Sequence, residues 1–108
     1  MQLYGLKTCD TTRKALKTLR EAGLEVAYID VRADIIPERE LSRFLRAFGD
    51  AMLNKRSTTW RGLSDADRAL GAAALIKKHP TVMKRPVIQT DTDVYLGWNA
   101  EVQKAILR

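Results

Sequence analysis

The only cysteine of the chain, Cys9, stands in Lys7-Thr8-Cys9-Asp10-Thr11-Thr12-Arg13-Lys14, between an apolar run ending at Gly5 and an amphipathic run opening at Asp10. A cysteine at a strand-to-helix corner meets the free N–H groups and the positive dipole end of the helix. Both favour the thiolate, the form that acts as a nucleophile. Arg13 and Lys14, one turn further on, add positive potential, which makes Arg13 a candidate for binding an anionic substrate. Asp10 opposes them unless its carboxylate turns away to cap the helix. Without such activation, a cysteine here is a small, inert hydrophobe.

The other residues with chemical potential are few. Arg85 precedes Pro86 in Lys84-Arg85-Pro86-Val87-Ile88, at the head of a strand. A proline cannot donate to a sheet ladder, so that position also suits it structurally. Lys55, Arg56 and Arg61 surround Trp60 in a polar stretch, either as a solvated loop on one aromatic anchor or as a rim for carboxylates and oxyanions. His79, the only histidine, precedes Pro80 at a helix end. One cysteine and one histidine cannot build a zinc site of four protein ligands, so no metal is expected. Tyr95 and Trp98 read as packing residues of a strand.

The elements that must position these groups follow from periodicity. Residues 2–5 form a short strand, and Ala15, Leu16, Leu19 and Ala22 share one helical face closed by Gly23. Residues 25–31 form a second strand, completing a β-α-β unit with a parallel pair. Leu41, Phe44, Leu45 and Phe48 mark a helix opened at Pro37 and closed by Gly49. One further helix is expected from Ser64-Asp65 through Ile76 to Lys77, Lys78 and His79, with 54–62 as a loop between the two. Two antiparallel strands flank Thr90-Asp91-Thr92, and a last helix follows Asn99. The order β-α-β, helical block, β-β-α predicts one α/β domain over 1–108 with a mixed four-stranded sheet. A helical insertion is expected at 36–79. This is the thioredoxin order, in which the reactive thiol opens the first helix and an X-Pro bond stands beside it.

Four stretches in register, "LYGLKTCDTTRKA", "LNKRSTTWR", "KRPVI" and "YLGW", resemble the arsenate reductase (ArsC-like) family over essentially the whole chain. They are most similar to its YffB branch of thiol reductases, with the Spx transcription regulators as neighbours. The resemblance implies a thioredoxin-like fold and a thiol oxidoreductase with Cys9 as nucleophile. Arg85 becomes the anion-stabilising group, with Pro86 beside it. Of the three arginines that hold arsenate in true arsenate reductases, two fall on Asn54 and near Gly97 here, which argues against arsenate. Asn54 and nearby Arg56 remain candidates for substrate binding. Asp10, Thr11 and Thr12 follow Cys9, so there is no C-x-x-C and an external thiol must resolve any disulfide. Glutathione, as co-substrate, or a glutaredoxin is the expected donor, with no tightly bound cofactor. An Spx-like regulator that binds RNA polymerase without turnover is the alternative from another class.

The length supports a real core without a disulfide framework. With 19 basic and 13 acidic residues the net charge is +6, but the charges are interspersed rather than clustered, so no nucleic-acid partner is expected. No leader and no apolar stretch of about 20 residues is visible, so no membrane partner is expected. The expected compartment is the cytoplasm, where a thiol stays reduced.

Overall fold

The computed structural model describes residues 1–107. In chain order its main elements are β1 (Gln2–Gly5), α1 (Asp10–Glu21), β2 (Ala27–Asp30), α2 (Glu38–Phe48), α3 (Thr58–Arg61), α4 (Asp65–Arg68), α5 (Ala72–Lys78), β3 (Val87–Gln89), β4 (Val94–Leu96) and α6 (Ala100–Ile106). They fall into two compact units, one built from residues 1–34 and from 85 onward, the other from 35–84.

The first unit is a four-stranded sheet in the order β2-β1-β3-β4, with β1 parallel to β2 and the other two pairings antiparallel. Leu3 and Ile88 sit opposite each other on β1 and β3. With Ala15 and Leu19 of α1 and Val102 of α6 they form a buried apolar cluster. Both helices therefore bury their apolar stripes against one sheet face, as the 3.6-residue spacing of α1 requires. Tyr28, Tyr95 and Trp98 pack against this cluster. Helix α1 ends in a Schellman arrangement: Gly23 takes a positive φ of 84°, and the Leu24 N–H reaches back to the Leu19 carbonyl at 3.2 Å. These connections are those of a thioredoxin-like fold, and the sheet is mixed and four-stranded as expected.

The second unit is helical, and α2 packs against α5. Ile36, Leu41, Phe44, Met52, Leu75, Ile76, Val82 and Met83 are its buried apolar side chains. Two expectations need correction. The single helix expected across 64–78 is broken: Gly71 is extended (ψ 155°) and starts α5, while α4 stops at Arg68. A glycine inside a helix costs about 1 kcal/mol relative to alanine, so the chain breaks there. The loop over 54–62 also contains a helical turn, α3, because the Ser57 hydroxyl accepts the Trp60 N–H at 3.1 Å and so caps it.

His79 is tied to this unit through Asp67, whose carboxylate, 18% exposed, accepts from Lys78 Nζ at 2.8 Å and faces His79 Nε2 at 3.0 Å. These contacts, Lys78 first, hold the Asp67 carboxyl below its ordinary value. The support they give is present above the ordinary aspartate pKa and lost as pH falls through the lower folded value. Asp67→Asn is therefore expected to lower the urea midpoint at neutral pH. The gap from wild type should close in strong acid, and a gap that persists there would assign the loss to packing instead.

Candidate active site

The parallel strands β1 and β2 end side by side, and the chain leaves each by a tight turn. After β1, the Cys9 N–H donates to the Leu6 carbonyl at 3.0 Å and the Cys9 carbonyl accepts from Arg13 N–H at 3.0 Å. This makes Cys9 the N-cap of α1, in an extended conformation (φ −88°, ψ 118°). A serine here would give its oxygen to the N–H of the third helical residue, Thr12. The neutral thiol makes no side-chain cap bond. A thiolate, as a charged acceptor, can take that place.

Burial of the half-exposed sulfur pushes the thiol pKa up. The Thr12 hydroxyl, the Thr12 backbone N–H and the Arg85 guanidinium together outweigh it, so the Cys9 thiol is held below its ordinary value. Thr12 is 1% exposed, and its Oγ1 is buried with no conventional hydrogen-bond partner among the described residues. A buried hydroxyl left in that state is a cost. The Cys9 anion is the acceptor that relieves it. Gly5 is what lets Thr12 sit this close to β1: a Cβ at Gly5 would lie 2.5 Å from both Thr12 Oγ1 and Cγ2.

Arg85 reaches the same end of the sheet from the other side. Tyr4 pairs with Val87 across β1 and β3, and continuing that register carries Pro86 and Arg85 toward the Cys9 corner. The Arg85-Pro86 bond is cis. Pro86 is buried, and its carbonyl accepts the Gly97 N–H at 2.8 Å.

Beyond β2, Asp30 closes its turn by accepting the N–H groups of Arg32 (2.8 Å) and Ala33 (3.2 Å) on Oδ1. The buried Tyr28 hydroxyl is close enough to feel the charges of both that carboxylate and Cys9. Burial first, then the negative charges of Asp30 and Cys9, push its pKa up and keep it protonated.

Of the side chains anticipated from the sequence, Cys9, Arg85 and Pro86 are brought together in the first unit. Arg13 turns to Asp10 in an exposed ion pair, so the two charges offset each other, and Asp10 does not cap the helix. Asn54 and Arg56 belong to the second unit. Asn54 is engaged in a turn, its Oδ1 accepting Arg56 N–H at 3.2 Å and its carbonyl accepting from Ser57. Trp60 there carries Lys55 and Arg68 over its ring at 5.4 and 5.6 Å. Thr12, Gly5, Tyr28 and Asp30 were missed as site residues. The one signal available was a hydroxyl residue three positions after a presumed cap. Among the described residues no cluster of His, Cys, Asp or Glu could hold a metal, and no helix is long and apolar enough to cross a membrane.

A cysteine capping the first helix of a thioredoxin-like sheet, beside an X-Pro bond, is the arrangement of thiol-active proteins of that fold. The sequence matches the ArsC family over residues 4–106, and the chain belongs to that family. Within it the similarity is to the YffB branch. A solved YffB protein is 32% identical, with a TM-score of 0.89, covering 99% of this chain and 98% of that one. An uncharacterized protein of Haemophilus influenzae is 36% identical over 95% of each chain. An arsenate reductase-related protein of Brucella melitensis is 30% identical, with a TM-score of 0.70 over 96% of this chain and 91% of its own.

Proposed function

We propose that the protein is a cytoplasmic thiol-dependent reductase in which Cys9 is the nucleophile and glutathione or a glutaredoxin is the external thiol. The observation that supports this reading is the place of the half-exposed Cys9 as N-cap of α1, at the end of the sheet that the cis Arg85-Pro86 bond also reaches. In the first step the Cys9 thiolate attacks one sulfur of a disulfide. The Cys9–S bond forms as the S–S bond breaks, and the departing thiolate takes a proton from water. In the second, an external thiolate attacks the sulfur bonded to Cys9 and releases the Cys9 thiolate with a new disulfide. Over the two exchanges one external thiol is oxidised and one half of the substrate disulfide is released as a thiol; the other half leaves in the new mixed disulfide, which a second external thiol reduces.

Incubation with oxidised glutathione followed by mass spectrometry is expected to show one glutathionyl adduct on Cys9, removed by excess thiol and absent in Cys9→Ser. A wild-type chain that forms no adduct overturns the reading. If RNA polymerase subunits then copurified with it, the regulator reading would take its place.

Arsenate is expected to be a poor substrate. Gly97 offers no side chain where the family's arsenate reductases use an arginine, and Asn54 is occupied by its turn. Assayed with glutathione and glutaredoxin, the chain should produce little or no arsenite. Robust production would show that other cations supply the oxyanion site.

A further inference from the structure

A cavity of about 400 Å³ opens beside the Cys9 corner, lined by Leu6, Lys7 and Thr8 on one side and by Asp30, Arg32 and Ala33 on the other. It occupies the crevice beyond the carboxyl ends of two parallel strands, where open α/β sheets take their ligands. Thr8 is adjacent to Cys9 in the chain, and the Tyr28 hydroxyl feels the charges of both Asp30 and Cys9, so the cavity lies next to the thiol's corner.

The lining has both charge signs. Lys7 and Arg32 are exposed, and among the described residues neither side chain has a carboxylate partner. Asp30 is fixed by the two backbone N–H groups on Oδ1, and its carboxylate interacts with the Tyr28 hydroxyl. A lining with two cations and one anchored carboxylate matches a ligand that carries a carboxylate and an ammonium together. The volume is at the small end of the range for ligand pockets, suited to one amino acid or a short peptide rather than a folded partner.

We propose that this cavity is a substrate subsite that receives the amino-acid end of a small disulfide, its carboxylate toward Lys7 and Arg32 and its ammonium toward Asp30, while Cys9 attacks the adjoining sulfur. The proposal rests on the reading of Cys9 as nucleophile and adds the class of substrate.

The test follows mixed-disulfide formation on Cys9 with three symmetric disulfides: cystine (both charges), cystamine (ammonium only) and dithiodiglycolate (carboxylate only). Each rate is divided by that disulfide's rate with free mercaptoethanol, and by the same protein's alkylation rate with uncharged iodoacetamide, which removes changes in thiolate fraction. Cystine should be preferred over both by about 10-fold, the effect of one charge-assisted contact. Arg32→Ala should lower the rates with cystine and dithiodiglycolate by about 10-fold but spare cystamine. Asp30→Asn, which keeps the oxygen that closes the turn, should lower cystine and cystamine but spare dithiodiglycolate. Equal normalised rates for all three disulfides, or variants that slow all three alike, overturn the subsite and leave Cys9 as a nucleophile. Absence of any adduct overturns the nucleophile and the subsite with it.

Discussion

Thr12→Val is expected to raise the Cys9 thiol toward the free-cysteine value of about 8.5 and to slow its reaction with disulfides, without weakening the fold. The substitution is nearly isosteric, so packing changes little. It removes a buried hydroxyl that has no other hydrogen-bond partner among the described residues and favours the thiolate. A hydrogen bond to a charged group is worth about 1.5 to 3 kcal/mol, and the half-open sulfur places this one at the lower end, or about one decade in rate. Thermal stability should hold or rise as reactivity falls, a combination that a purely structural threonine could not give. Arg85→Ala should act in the same direction on pKa and rate. Arg85→Lys should recover only part, because a point charge does not reproduce a planar fork. Thiolate absorbance against pH measures all three variants. An unchanged Cys9 midpoint in folded Thr12→Val and Arg85→Ala would leave activation to the helix end alone.

The second large effect is expected at Gly5, which touches no substrate. Gly5→Ala places a methyl group 2.5 Å from both branches of the buried Thr12 side chain. Overpacking of this kind costs roughly 1 to 3 kcal/mol, and whatever movement relieves it takes the hydroxyl away from the sulfur. Stability and Cys9 reactivity should fall together. In a Thr12→Ala background the same change should cost much less stability, since the clashing atoms are gone. A double-mutant cycle by urea denaturation reads that coupling. Additive losses would mean that the glycine is required for another reason.

The strand-to-helix corner, the α1 stripe and the β-β-α ending were legible because each depends on short-range spacing, and Cys9, Arg85 and Pro86 were legible because they punctuate those elements. The break at Gly71 was not, since alanines on both sides keep the helical period through it. Nor was the cap of α3 at Ser57, which lies among polar residues with no apolar rhythm. Tyr28 read as an ordinary strand residue, because its meeting with Cys9 depends on how β2 is laid beside β1 and on a side chain reaching past the strand end. Thr12 was hidden differently: its neighbours in the chain say helix, and only the absent Cβ at Gly5, seven residues earlier, shows how close it lies to the sheet.

Cys9 is the sole sulfhydryl of the chain, and in the proposed exchange the groups that favour its thiolate act on its departure as well as its attack. A thiolate stabilised by a threonine hydroxyl, an amide and a guanidinium is a good leaving group, so a mixed disulfide on Cys9 is cleaved readily when an incoming thiol strikes the other sulfur. Stabilisation of the reduced state raises the oxidising power of the adduct by the same free energy. A second cysteine would serve to expel a reluctant sulfur. In the proposed reaction the helix cap takes over that task, which makes the adduct a transit state rather than a resting one.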